Sequence, residues 1–318
     1  MKRIVFIFAA LCALAVPAFG QSYPNQPLRL IVPFPPGGVT DVMARTVAVR
    51  LAEELGQPVV VDNRAGASGI VGAEGAAHAA PDGYTLLMGN ISTLAINSAT
   101  FAKLPYDPVK SFAPVSMVAI QPLLIVVHPT LPAKTLAELV SLAKAKPDTL
   151  AYGTAGSSIH LAVEQFSTIA GIRMNHIPYK GSAPAISDLV GSQIQVLFDP
   201  FSTVYPQVTV GKARALAVTT ERRSSVAPEI PTVAESGYPS FDVSSWQGIV
   251  VPAGTPKEIV DRLNRTLLKI LGEPGVKAQF AKQGAEASPG TPEAFGAYIA
   301  MELARWQKVA RDAGVTPE

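Results

Sequence analysis

The chain has 318 residues, 16% of them charged, with 26 Lys and Arg against 24 Asp and Glu. That length suffices for two compact domains of about 100–200 residues each, and the near-balance of charge argues against nucleic acid or an anionic membrane surface as partner. Cys12 is the only cysteine, so disulfides, cysteine nucleophiles and thiolate metal sites are excluded once the segment carrying it is removed.

That segment comes first. Met1-Lys2-Arg3 precedes a short apolar run, residues 4–16, and Pro17-Ala18-Phe19-Gly20 closes it. A basic start, a hydrophobic core and small residues read as a secretory signal peptide, residues 1–20, cleaved after Gly20 to leave a periplasmic protein. The run falls short of the roughly 20 apolar residues that span a bilayer. Removing Lys2 and Arg3 takes the 26 basic residues to 24, equal to the 24 acidic ones.

Leu28, Leu30, Ile31 and Val32 then read as a buried strand, broken by Pro33-Phe34-Pro35-Pro36-Gly37-Gly38, and Thr40 and Asp41 open an amphipathic helix to about Leu55. A strand end, a Gly-rich turn and a helix N-terminus present unpaired backbone N–H groups, which suits an anion. A second strand, residues 57–62, leads through Asn63-Arg64-Ala65-Gly66 to a helix with Gly66, Gly69, Gly72 and Gly75 at three-residue spacing. The G-x-G core of a dinucleotide site is missing, so these glycines are read as close helix–sheet packing. A third strand, residues 84–88, ends at Gly89-Asn90-Ile91-Ser92. Such alternation indicates an open α/β sheet with mainly parallel strands.

Two strand-like runs within residues 115–127 are joined at Gln121-Pro122, a candidate crossing between domains. Thr135 and Glu138 have capping-box spacing for a helix to about Lys146. A short strand, residues 150–152, leads to Gly153-Thr154-Ala155-Gly156-Ser157-Ser158-Ile159-His160 and a helix, which repeats the opening device. Residues 174–178, 195–198 and 212–218 read as strands, with a helix running to Val190 between the first two. Residues 231–235 read as a short capped helix, and residues 241–251 as a strand returning to the first domain. Thr255-Pro256 starts a helix by cap plus first-turn proline, and helices run on to the C-terminus. The expected division is residues 22–122 with 244–318 as one domain and 123–243 as the other, with a cleft between them.

Several side chains have two readings. Asp41 complements the helix macrodipole or contacts a ligand. His160 makes a structural hydrogen bond or touches ligand. Phe34 covers the ligand or packs between loops. Asp199, at a strand end without a helix to cap, is read as a cleft residue. Ser157 and Ser158 beside His160 suggest a secreted serine hydrolase, but G-x-S-x-G is absent around either serine. His78, His128 and His176 show no ligand spacing, so no metal site and no cofactor are expected.

Together these segments resemble the Bug-type substrate-binding proteins of tripartite tricarboxylate transporters. The marks are residues 33–41, Val61-Asp62-Asn63-Arg64-Ala65-Gly66, Tyr152-Gly153-Thr154-Ala155-Gly156-Ser157, His160-Leu161, residues 176–184, Phe198-Asp199, Trp246-Gln247-Gly248 and Pro252-Ala253-Gly254-Thr255-Pro256. Their order spans essentially the whole mature chain. The resemblance implies a type II periplasmic binding-protein fold, two α/β domains joined by a hinge. They would close on one small carboxylate held by backbone amides, small hydroxyls and ordered waters. Carried over by position, it points to Phe34, Gly37, Gly38, Asp41, Asn90, Thr154, Ala155, Ser157, Ser158 and Asp199. The expected protein is a monomer that performs no chemistry and hands its carboxylate to membrane transporter subunits. A solute sensor for a signalling partner would share the same site.

Overall fold

The computed structural model describes residues 23–315 and 317; the expected signal segment, residues 1–20, lies outside the described residues. β1 (Leu28–Val32) is buried at Leu28, Leu30, Ile31 and Val32. The prolines after it remove ladder donors, and Gly37, at φ +86°, makes the turn that β-branched or bulky residues resist. Helix α1 (Val39–Leu55) follows and buries Met43, Ala44, Val47, Ala48, Leu51 and Leu55, a 3.6-residue stripe against the sheet.

β2 (Val59–Asn63) leads through a 3-10 turn, Ala67–Gly69, into α2 (Ile70–Ala77). A Cβ on Gly72 would lie 2.8 Å from both the Arg64 carbonyl oxygen and Pro33 Cα. The glycine spacing therefore lets α2 rest directly on the backbone that leaves β1 and β2. β3 (Thr85–Asn90) ends in a π-helical turn, Ser92–Ile96, continued by α3 (Asn97–Thr100).

β4 (Phe112–Val127) is one unbroken 16-residue strand, where two runs were expected. Pro122 does not end it, because the ladder changes partners there. Pro122 is the last residue paired with the returning strand, opposite Ser244, and Leu123 begins pairing at Pro200. A residue without an N–H is tolerated where one ladder stops and another starts.

The chain continues through α4 (Leu136–Ala145), β5 (Ala151–Thr154), α5 (Ser157–Ala170), β6 (Asn175–Pro178), α6 (Ser182–Val190) and β7 (Val196–Pro200). The capping box at Thr135 and Glu138 is formed. Helix α7 (Phe201–Thr209) went unread in the sequence because Pro206 lies inside it. After β8 (Arg214–Val218), Thr232 and Glu235 exchange the reciprocal bonds of a capping pair. They close only a turn, however, and the short helix expected at 231–235 is not formed.

β9 (Ser244–Pro252) precedes α8 (Lys257–Leu271), α9 (Pro274–Lys282), β10 (Glu286–Ala287) and α10 (Pro292–Asp312). Pro256, not Thr255, stands at the α8 N-cap, and the Thr255 hydroxyl donates to the Pro252 carbonyl instead.

The strand order is β2-β1-β3-β9-β4-β7-β5-β6, with β10 and β8 also on β4. The outer pairs are parallel, but β9 and β4 run antiparallel to their neighbours, so the mainly parallel sheet expected above is a mixed one. The central strands are those that carry the chain from one half of the sheet to the other and back. β4 lies between β9 and β10 over its first part and between β7 and β8 over its last. Helices cover both faces. One apolar cluster runs through both halves, from Leu87 to Phe198 and Trp246, and others lie under α1 with α8 and under α6 with α7. Among the described residues no helix is long and apolar enough to cross a membrane.

Candidate ligand-binding site

A cavity of about 320 Å³ opens where the two halves of the sheet meet. Phe34, Ser68, Asn90, Ile91 and Ser92 line one wall, from the turns after β1 and β3 and the approach to α2. Ala155, Gly156, Ser158, Ile159 and Pro200 line the other, from the first turn of α5 and the end of β7. Leu123, Val243, Ser244 and Ser245, at the two crossings of the chain, complete it. None of these side chains is ionisable.

Donors come from two sources. The α5 N-terminus has no side-chain cap, so its first N–H groups remain available beside Ser158. Asn90, almost buried, uses its Oδ1 to accept from the Thr93 backbone N–H at 3.1 Å. Its Nδ2 has no partner among the described residues and is a donor at the cavity wall.

Of the residues singled out in the sequence, Phe34, Asn90, Ala155 and Ser158 border the cavity. The others stand beside or behind it. Gly37 and Gly38 lie in the turn next to Phe34. The Asp41 carboxylate is occupied there by the Gly37 N–H, Arg45 Nε and Asn63 Nδ2, each at 2.9 Å. Burial works to raise its pKa, but those hydrogen bonds outweigh it and hold the carboxyl below its ordinary value. Asp41 thus builds the turn from within. Ser157 is the first residue of α5.

Asp199 is fully buried and accepts from the hydroxyls of Ser182, at 2.8 Å, and Thr203. It does not line the cavity; its neighbour Pro200 does. Burial pushes its carboxyl up to about 6, against the pull of the two hydroxyls. In the window from pH ~4 to ~6 the folded chain binds more protons than the unfolded one, so this group's contribution falls as pH rises and is lost above about 6. Asp199→Asn, isosteric with the neutral acid, is expected to gain up to about 2–3 kcal/mol at pH 7.5 and almost nothing at pH 4. Urea unfolding at the two pH values checks it.

Thr154 and His160 lie behind the second wall. Thr154 Oγ1 shares a hydrogen bond with His176 Nε2 at 2.7 Å. The His160 ring stacks on His176 with centroids 4.0 Å apart and planes 14° from parallel. Tyr152 donates its hydroxyl proton to Glu164 at 2.8 Å and stands 3.2 Å from His160 Nδ1. Burial, followed by the proximity of His160, brings His176 down to about 4. Burial likewise lowers His160, opposed by Glu164.

Sequence reasoning passed over Ser68, Ser92, Ser244 and Ser245 as site residues. Ser244 and Ser245 had a signal: they immediately precede Trp246-Gln247-Gly248 at the expected return to the first domain.

The family model described as tripartite tricarboxylate transporter family receptor matches residues 43–315. The chain belongs to this receptor family. Among its relatives is Protein BugT of Bordetella pertussis, 41% identical over 317 residues, covering 99% of this chain and 97% of that one. R. palustris Rpa4515 with adipate superposes with a TM-score of 0.82 at 38% identity, over 93% of this chain and all of the other. MatC from Rhodopseudomonas palustris, with bound malate, gives 0.76 at 32% identity, over 91% of this chain and all of the other. The periplasmic binding protein BugD shares the fold as well, at a TM-score of 0.77 and 34% identity. The fold is therefore that of the family's periplasmic binding proteins.

Proposed function

We propose that this chain is a periplasmic receptor that captures one small organic carboxylate in the cavity between its halves and delivers it to the membrane subunits of a transporter. The halves are residues 22–122 with 244–318, and residues 123–243, and they close on the ligand by bending at the two crossings. The observation that carries this reading is the cavity itself: it draws its walls from both halves and offers hydroxyls, an amide and a helix N-terminus, with no ionisable side chain among the described residues that line it. Hydrogen bonds to an ionised group contribute about 1.5–3 kcal/mol each where water is excluded, so several such donors hold a carboxylate without a cation. The adipate and malate bound in two relatives support the same ligand class.

In this reading Phe34 covers the ligand, and Asn90, Ser158 and the first N–H groups of α5 hold its charge. Ala155 supplies close contact, and Gly37, Gly38 and Asp41 shape the first turn. The test is a thermal-shift screen over aliphatic and aromatic carboxylates, followed by titration calorimetry. A full screen without any stabilising carboxylate would overturn the proposal.

Gly38 offers a sharper probe of the first turn. Its φ is −75°, and a Cβ there would meet only the Pro35 carbonyl oxygen, at 3.8 Å. A Cβ therefore has room in the chain itself, and a β-branched residue at this helix N-cap costs about 1 kcal/mol. Gly38→Val is expected to weaken carboxylate binding about tenfold while the ligand-free melting temperature stays within a few degrees. Unchanged affinity would place the ligand away from this turn.

A further inference from the structure

His176 lies on β6, outside the cavity lining, and none of the roles above uses it. Its ring nevertheless reaches both ends of one wall of the site. Nε2 bonds the hydroxyl of Thr154, the last residue of β5. Its face lies on His160, in the first turns of α5. Between those two residues fall Ala155, Gly156, Ser158 and Ile159, which all line the cavity. The segment that brings a helix N-terminus to the ligand is thus held at its start by a hydrogen bond and at its end by a stacked ring, both from one imidazole.

We propose that His176 is a positioning residue for the second wall of the site: as a neutral imidazole it fixes residues 154–160 through Thr154 and His160. This rests on the reading that the cavity holds a carboxylate. The charges facing the pair are few. Glu164 lies on α5 itself, the neutral Tyr152 on β5 stacks on His176 at 5.0 Å, and Arg305, Lys308 and Asp312 of α10 border the groove that Glu164 also lines. Two rings 4.0 Å apart do not both carry a proton readily. Burial disfavours a charge on either ring, and a second charge would face the first, so protonation favours arrangements in which the rings leave the stack; the wall is well formed above about pH 6.5 and weakens toward pH 4.

The experiment compares the full mature protein with His176→Ala and His176→Gln, using adipate as probe. Calorimetry at pH 7.5 is expected to show at least a tenfold loss for the alanine variant. Glutamine, whose amide again partners Thr154, is expected to recover most of it. The ratio of wild-type to His176→Gln affinity is expected to be flat above pH 6.5 and to fall at least threefold by pH 3.5. Titration of adipate and of Asp199 is common to both proteins and cancels in that ratio. Wild-type affinity in His176→Ala, or a ratio independent of pH, would overturn the proposal.

A ligand-free arm separates this from failure of the functional reading. Amide hydrogen exchange across residues 155–160 is expected to speed up at least tenfold in His176→Ala relative to the rest of the sheet. Unchanged exchange there overturns the positioning role even if wild-type protein binds no adipate. Faster exchange in a protein that ignores adipate supports the positioning and counts against the ligand assignment.

Discussion

Asn90→Asp is expected to lower carboxylate affinity about 100-fold at pH 7.5. Asn90 closes β3 with a hydrogen-bonded loop: its backbone N–H donates to Thr93 Oγ1 at 3.0 Å, and its Oδ1 accepts from the Thr93 N–H. Aspartate keeps the acceptor and the shape. What changes is the other terminal atom, from a donor without a partner among the described residues to an anionic oxygen at the cavity wall. Losing a charged hydrogen bond costs about 1.5–3 kcal/mol, and a like charge nearby adds to that. A total of about 2–4 kcal/mol corresponds to roughly 30- to 1000-fold. Calorimetry with adipate or malate reads the effect, with circular dichroism to show that the fold persists. An aspartate variant that binds as tightly as the parent would place the ligand away from the end of β3.

The largest effect on stability is expected at Gly248. This residue of β9 pairs with Gly89 of β3 on one side and Met117 of β4 on the other. A Cβ there would come within 2.2 Å of Phe295 Cζ, and Phe295 is itself buried on α10. The ring has little room to retreat, because Trp246 packs edge-on against it with centroids 5.9 Å apart. The Trp246 indole is tied in turn to the buried carboxylate of Glu302 on the same helix, at 3.1 Å. Gly248→Ala therefore forces α10 off the sheet at an expected cost of about 2–4 kcal/mol. Denaturant unfolding measures it. Adding Phe295→Leu is expected to return at least half of the loss, because the smaller side chain leaves space for the methyl group. Additive losses in the double variant would mean that the clash is relieved elsewhere.

The sequence displays the strand–turn–helix units plainly, because each has local causes. Apolar residues of β1 run into prolines and glycines, and a 3.6-residue stripe begins at once in α1. The same holds from β5 into α5. What is lost is whatever depends on distant partners. Pro122 looks like a strand terminator, and only the exchange of one ladder for another makes it compatible with a continuous β4. Pro206 hides α7 because an interior proline reads as a helix breaker.

Within the site, the turns that carry Phe34, Asn90, Ala155 and Ser158 announce themselves as small-residue segments at strand ends. The direction of Asp199 does not. Helices cover both faces of β7, which is buried from Val196 to Asp199. Alternation along the strand therefore carries no signal of which side chain meets the cavity and which meets Ser182 and Thr203. Asp41 is misleading for a related reason: an acid in a first helical turn beside a glycine-rich loop looks equally suited to a ligand and to the loop's own N–H groups.

The unbroken β4 also limits how such a protein is inherited. Its first residues template β9 and β10, and its last residues template β7 and β8. A gene fragment ending at Pro122 would encode neither half with its central strand's full complement of partners. Unlike modules strung on a flexible linker, the two parts of the sheet share this strand, and a cut at Pro122 would strip β7 and β8 of the partner they pair with.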